Sequence, residues 1–324
     1  MKALVLKNIK NIEIKSVPVE KPAEDEIVLK VEYCSICRTD AKMWSQGQRD
    51  LKLPRILGHE IAGVDQETGK RFVVWPGRSC GACAQCLSEH ENLCANIKII
   101  GFDSDGGFAE FVKAPRQSLV PIPDNIPSRL ACLAEPLACG ANALDQIIPR
   151  PNGNILIYGA GPVGIMTAIA SASAGLNVSI TDNQPEKIEK CARLCVMSNI
   201  AIVEEPRDST YDAIINATPS SDAFADGLRK LKPAGTFVFF GGLAGGNDIP
   251  LKVLNEIHYR QLTLTGAYGC AKRHMEQALK IMSSRIDLFE FLIEKTITLD
   301  EVASALPDVL AGKHYKYIAK MSWR

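Results

Sequence analysis

Ile155-Leu156-Ile157-Tyr158-Gly159-Ala160-Gly161-Pro162-Val163-Gly164 is the stretch on which the fold turns. A short apolar run, the pattern of a buried strand, leads directly into G-x-G-x-x-G and then into a helix-forming segment. Gly159 permits the tight turn, Gly161 lets backbone approach a pyrophosphate, and Gly164 lets the helix pack on the strand. Pro162 and Val163 open the helix, whose free N–H groups face the phosphates. Eighteen residues beyond Gly164, at the end of the next apolar run, stands Asp182. A carboxylate there accepts both ribose hydroxyls of an adenosine and repels a 2′-phosphate, which points to NAD rather than NADP. The plainer reading is a tight strand–helix turn followed by an ordinary surface aspartate.

Outward from this turn the chain alternates strand and helix. Strands are expected at Ile155–Tyr158, Val178–Thr181, Ile200–Val203, Ala213–Ala217, Thr236–Phe240 and Leu262–Thr265, with helices at Pro162–Ala174 and Glu186–Cys195. That alternation specifies an α/β fold with a doubly wound parallel sheet. The first 135 residues read instead as mostly β, with runs at Lys2–Leu6, Ile27–Tyr33, Arg71–Trp75 and Phe108–Ala114. Leu130–Leu144 reads as a mixed apolar, helical stretch, and the tail ends in a helix from Lys272, a short helix near Leu299–Leu310 and a strand at Tyr317–Met321.

The length of 324 residues suits two domains. Hydrophobic residues at 46% and charged residues at 23% are ordinary for a folded, soluble protein. Lys plus Arg and Asp plus Glu are both 37, so net charge is zero, which argues against a nucleic-acid partner. Pro151–Thr181 carries no charge, but its glycines and small residues fit a buried strand–turn–helix–strand better than a membrane span. The N-terminus alternates like a strand and lacks the long apolar core of a secretory signal. With eleven cysteines, an odd number, the sequence predicts a reducing, cytoplasmic setting rather than a disulfide framework.

Cysteine spacing then defines two metal questions. Cys80, Cys83, Cys86 and Cys94 follow C-x2-C-x2-C-x7-C, and four thiolates this close can close a tetrahedron around a structural zinc. The iron–sulfur alternative fits poorly, because its last spacing is shorter and a proline follows it, where Ala95 stands here. Elsewhere Cys37, His59-Glu60 and Glu135 offer a thiolate, an imidazole and carboxylates. Glu135 lies in an otherwise uncharged run, where an ionised carboxylate is costly without a positive partner. This borderline-soft set suits zinc with an exchangeable position. Taken singly, Cys37 is more often a buried core thiol and His59 a hydrogen-bonded structural residue, and only the combination reverses that; Cys34 and Cys37 also form C-x-x-C, but without a thioredoxin-like context.

Cys37-Arg38-Thr39-Asp40, Gly58-His59-Glu60, the Cys80–Cys94 lobe, Glu135-Pro136-Leu137, Gly159–Gly164 and Gly266-Ala267-Tyr268-Gly269 occur together and in order. By these motifs, which span nearly the whole chain, the sequence resembles the zinc-dependent medium-chain alcohol and polyol dehydrogenases. Glu135-Pro136-Leu137 resembles the polyol and threonine dehydrogenase branch, where the alcohol dehydrogenases carry a cysteine. The resemblance implies a GroES-like catalytic domain over 1–140, a Rossmann NAD-binding domain over 141–270, and a C-terminal return to the catalytic domain over 271–324. It implies two zinc ions per chain. Cys37, His59 and Glu60 match the catalytic ligands, and Glu135 matches a fourth ligand or a group holding a zinc-bound water. Asp40 matches the carboxylate that orients the ligating histidine. Arg38 matches a residue that reaches the cofactor pyrophosphate, and Gly241, Gly242 and Gly269 follow strand ends where the nicotinamide lies.

The activity this resemblance implies is NAD-dependent oxidation of a secondary alcohol, a polyol, sugar-like or amino-alcohol; the alternative is a biosynthetic ketone or aldehyde reductase using NAD(P)H. The substrate hydroxyl takes the open zinc position, Thr39 passes its proton outward, and hydride goes to the nicotinamide. Thr39, Glu60 and Glu135 are the residues expected to act in catalysis. A catalytically silent zinc scaffold predicts damage among Cys37, Thr39, His59 and Glu60, which are intact. The family further suggests a homodimer or homotetramer, through strand pairing near Leu262–Thr265.

Three departures are expected to matter. Lys42 stands where the alcohol dehydrogenases often carry a relay histidine, and lysine is no neutral-pH base without a strongly lowered pKa. Ile61–Trp75 is shorter than usual. Only Glu204–Asp212 joins two Rossmann strands where a crossover helix is usual, so that sheet edge is expected to be trimmed or irregular. Cys34, Cys132, Cys139, Cys191, Cys195 and Cys270 read as core residues, and His90, His258, His274 and His314 as surface residues.

Overall fold

The computed structural model describes residues 1–147, 152–244 and 248–323. Pro151, first residue of the uncharged stretch, lies outside them. The chain forms two compact units, Met1–Ala138 with Cys270–Arg324, and Cys139–Gly269.

The second unit is built on a six-stranded sheet. Its strands run Ala201–Ile202, Asn177–Thr181, Asn154–Tyr158, Tyr211–Asn216, Leu231–Phe239 and Thr263–Gly266 across the sheet, and every neighbouring pair is parallel. In chain order this is 3-2-1-4-5-6, the dinucleotide-binding arrangement. Helices Pro162–Ser173 and Pro185–Met197 follow the first two strands, as expected. Helices Ser221–Lys230 and Leu251–Tyr259 follow the fourth and fifth, where the sequence pattern identified only the strands. Leu156, Tyr158, Ile214, Phe224, Leu228 and Phe237 form the core beneath Ser221–Lys230.

The short connection behaves as its length dictates. Among the described residues no helix lies between Ile202 and Tyr211, and the strand before it has two residues. The sheet face that Leu156 and Tyr158 share with Ser221–Lys230 continues across the register pairs Asn154–Asn177, Leu156–Ser179 and Ser179–Ala201. Strands covered on both faces are usually continuous apolar runs. Here Asn177 and Ser179 alternate with the buried Val178 and Ile180, as suits a face left without a helix. A cavity of about 580 Å³ opens at this edge, lined in part by Asn154, Asn177, Ser179, Thr210 and Tyr211.

The first unit carries a mixed sheet. Its longest strand, Glu26–Ser35, pairs antiparallel with Glu60–Asp65 on one side and with Lys316–Lys320 on the other. The C-terminal strand is therefore woven into the same sheet as the N-terminal strands, and Ile293–Thr298 lies parallel outside it. Leu29, Val31, Ile61, Phe108 and Tyr317 fill the core. Trp75 ties the returning segment down: its indole N–H donates to the Cys270 carbonyl at 2.7 Å.

The apolar stretch from Leu130 is two helices, Ser128–Ala131 and Ala134–Asp145, rather than one. Pro136 explains the break. It has no N–H for the carbonyl four residues back, and its ring crowds that position, so it is tolerated only in a first turn. His274 is not at the surface; it is 1% exposed, and its Nδ1 accepts the Ala271 N–H at 2.9 Å, capping helix Lys272–Ser284. Among the described residues no helix is long and apolar enough to cross a membrane.

Candidate active site

Two clusters of donor atoms lie in the first unit. In the cysteine lobe, Cys94 Sγ is 3.5 Å from Cys80 Sγ, Cys83 Sγ is 3.5 Å from Cys86 Sγ, and Cys80 and Cys86 are 3.9 Å apart. A tetrahedron with zinc–sulfur bonds of about 2.3 Å has sulfur–sulfur edges of about 3.8 Å, so the lobe fits a closed zinc site. Local backbone prepares the thiols unequally. N–H groups of Ala82 and Cys83 pull the Cys80 thiol down to about 6, whereas burial pushes Cys86 up to about 11.

Cys37, His59 and Glu60 form the second cluster, with one donor atom from each within 4.8 Å of the others. Each arrives by a different local device. Cys37 caps helix Arg38–Gln46: its Sγ accepts the Thr39 N–H at 3.4 Å, while Asp40 Oδ2 accepts the Cys37 N–H at 2.8 Å. His59 follows Gly58, whose φ of +94° and lack of room for a Cβ (2.8 Å from Cys34 Sγ) require glycine. Glu60 opens strand Glu60–Asp65.

Asp40 organises this cluster. It is fully buried; Oδ1 accepts the Gly58 N–H at 3.2 Å and stands 3.3 Å from His59 Nδ1. With Nδ1 turned to a carboxylate, Nε2 is the nitrogen available to a metal. Burial alone lowers the imidazole pKa, but the Asp40 charge and the neighbouring Cys37 outweigh it and raise it well above its ordinary value. A thiol, an imidazole and the Glu60 carboxylate, all buried or half-buried and convergent, fit a divalent borderline-soft cation such as zinc.

Glu135 is 8% exposed in the first turn of Ala134–Asp145, and its carboxylate comes within 4.8 Å of the Cys270 thiol. Sequence reasoning missed one member. Lys316 is 3% exposed, and its Nζ donates to both oxygens of the fully buried Glu60, at 2.5 and 2.7 Å. The Cys37 thiol and Glu135 carboxylate add to the attraction on this ammonium. No motif marks Lys316: it opens the strand Lys316–Lys320, which carries a second lysine at its other end.

The remaining expected residues of this unit lie nearby. Arg38 is exposed, and its Nε donates to the Leu310 carbonyl at 3.2 Å. Thr39 is half-buried in the first turn of its helix, next to Cys37. Lys42 sits one turn later on the same helix.

In the second unit, Gly161 is the N-cap and Pro162 the first residue of the helix that also carries Val163. Gly159 has φ of +109°, and a Cβ on Gly164 would fall 1.8 Å from the Gly159 carbonyl oxygen, so both glycines are required. Asp182 directly follows the next strand, Asn177–Thr181; its Oδ2 accepts the Ala160 N–H at 2.9 Å and its Oδ1 the Gln184 N–H at 2.9 Å. A Cβ on Gly241 would meet the Thr218 carbonyl oxygen at 2.5 Å, whereas Gly242 and Gly269 have open space beside them. All these groups lie at the carboxyl ends of the parallel strands, where such sheets bind ligands.

Known proteins resemble the chain along most of its length. Residues 23–124 match the alcohol dehydrogenase GroES-like domain, and residues 162–284 match the zinc-binding dehydrogenase domain. L-threonine 3-dehydrogenase of Pyrococcus horikoshii is 30% identical over 335 residues, 94% of this chain and 94% of that protein. L-galactonate-5-dehydrogenase of Escherichia coli K12 is 27% identical over 301 residues, 87% of each chain. A zinc-binding dehydrogenase structure from Sinorhizobium meliloti 1021, bound to NADP, superposes with a TM-score of 0.88 at 27% identity, covering 98% of both chains.

Proposed function

From the premise that the chain belongs to the zinc-dependent medium-chain dehydrogenases, we propose that it is an NAD-dependent zinc enzyme interconverting a secondary alcohol and its ketone. The substrate class is a polyol, sugar acid or amino-alcohol. The observation that carries this reading is the convergence of Cys37, His59 and Glu60 within 4.8 Å, in a chain that also has the complete glycine turn.

Cys37 and His59, with a carboxylate from Glu60 or Glu135, would hold the zinc, which would supply Lewis acidity toward a substrate hydroxyl. The chain's residues do the rest. Asp40 fixes the imidazole. Thr39, anchored through its N–H to Cys37 Sγ, carries the hydroxyl that receives and passes on the substrate proton. The glycine turn and Asp182 hold the pyrophosphate and ribose of NAD, the hydride acceptor. Arg38 assists the pyrophosphate after releasing the Leu310 carbonyl. Cys80, Cys83, Cys86 and Cys94 hold a second, structural zinc.

The likeness to L-galactonate-5-dehydrogenase and L-threonine 3-dehydrogenase supports substrates with several polar groups beside the reacting carbinol. A homodimer or homotetramer forms through the edge strand Thr263–Gly266, which among the described residues pairs only with Leu231–Phe239. Eleven free cysteines support a reducing, cytoplasmic location. The test is NAD reduction with a panel of polyols, sugar acids and amino-alcohols, run beside zinc analysis of the same protein. Turnover that disappears in Cys37→Ala supports the reading; turnover that survives in that variant overturns it.

A further inference from the structure

The cavity at the trimmed sheet edge lies at the opposite end of the strands from the glycine turn. Asn154, Asn177 and Tyr211 line it, and each opens a parallel strand, whereas Gly159 and Asp182 follow strand ends. Its volume of about 580 Å³ is that of a small-molecule pocket. The short Glu204–Asp212 connection leaves this space open, and the residues around it give the space its chemistry.

None of the described residues lining the cavity is charged, although 23% of the chain is. A charged ligand would give up water there without gaining a counter-charge. Two carboxamides brace each other. Asn177 Nδ2 donates to the Asn152 carbonyl at 2.9 Å and to Asn154 Oδ1 at 3.2 Å. These bonds fix which end of each amide is oxygen. Asn154 Nδ2 then remains as a donor and Asn177 Oδ1 as an acceptor, neither with a partner among the described residues. A third amide comes from Asn199, which follows helix Pro185–Met197 at φ +53°, a left-handed conformation that asparagine tolerates. The turn is held, because the next N–H, that of Ile200, donates to the Cys195 carbonyl at 2.8 Å. Ser179 adds a hydroxyl and Ile200 an apolar side chain.

We propose that this cavity is a second binding site, separate from the dinucleotide cleft, for an uncharged polyhydroxylated molecule: a nucleoside or a free disaccharide. Adjacent donor and acceptor groups on Asn154 and Asn177 match a sugar diol, in which each hydroxyl both donates and accepts. The uncharged wall selects against phosphorylated forms of either ligand.

The test titrates the full chain, saturated with NADH to occupy the dinucleotide cleft, with uridine, maltose and uridine 5′-monophosphate, followed by ligand-observed NMR. Uridine or maltose is expected to bind, and uridine 5′-monophosphate to bind more weakly than uridine. Binding of uridine alone identifies a nucleoside site, and binding of maltose alone a sugar site. Asn199→Gly keeps the left-handed turn and removes the amide, so affinity should fall about three- to tenfold, the value of a hydrogen bond. Ser179→Leu places a larger side chain between Leu156 and Ala201 in the sheet register and should abolish binding. NADH affinity should be unchanged in both variants. No binding of uridine or maltose at millimolar concentration overturns the proposal. So does unaltered binding in either folded variant, or tighter binding of uridine 5′-monophosphate than of uridine. Should Ser179→Leu fail to fold, Asn199→Gly still decides.

Discussion

The carboxylate of Asp182 accepts the N–H of Ala160 at 2.9 Å, tying the end of the second strand of the dinucleotide sheet to the middle of the glycine turn. The residue expected to choose the cofactor thus also helps hold the turn that binds its pyrophosphate. Asp182→Ser should do two things at once. Affinity for NAD falls roughly ten- to hundredfold, as expected for losing hydrogen bonds to a charged group worth about 1.5–3 kcal/mol. Activity with NADP rises relative to NAD, because the repulsion of a 2′-phosphate is gone. The ratio of kcat/KM for the two cofactors is the measurement, and an unchanged ratio would remove Asp182 from cofactor selection.

Gly164→Ala tests the turn sterically. The added carbon would sit 1.8 Å from the Gly159 carbonyl oxygen, and that obstacle is backbone, which cannot rotate aside. Expected is a loss of NADH binding, monitored by fluorescence titration, with the zinc content unchanged. Normal NADH affinity in this variant would mean that the turn does not carry the cofactor.

Metal analysis separates the two donor clusters. Two zinc ions per chain are expected, with one retained in Cys37→Ala. Cys83→Ser should lose the other and lower the unfolding temperature, because a structural zinc contributes folding energy outright. A lobe that keeps its metal in Cys83→Ser, or melts unchanged without it, would contradict the structural assignment.

Acid stability depends in part on Glu26. Burial opposes its ionisation, but the Ala23 N–H, Lys113 and Arg78 outweigh burial and hold its carboxyl below the ordinary carboxylate value. A depressed native pKa gives stability that is present above the unfolded value and lost as pH falls through the native one. Glu26→Gln should therefore melt below the parent at pH 7. The gap should close as the pH drops below about 4, the ordinary carboxylate range. Melting curves across that range check it; a gap independent of pH would point to packing instead.

Features encoded within single short segments were legible from the residues alone. Apolar runs broken by G-x-G-x-x-G specify a parallel strand–turn–helix, because only glycine tolerates the φ of Gly159 and the contact at Gly164. Four cysteines within fifteen residues close on each other with little help from the rest of the chain. The short Glu204–Asp212 connection foretold a sheet edge without its helix, since too few residues remain to build one. Long-range pairing had to be seen in three dimensions. Lys316 lies 256 residues from Glu60, and only the shared central strand brings its ammonium to that carboxylate. His274 and the Trp75 anchor to Cys270 were equally hidden, because burial depends on what packs from elsewhere in the chain. Local backbone preference acts over a few residues. The electrostatics of a buried site act between whichever groups the folded chain brings within a few ångströms.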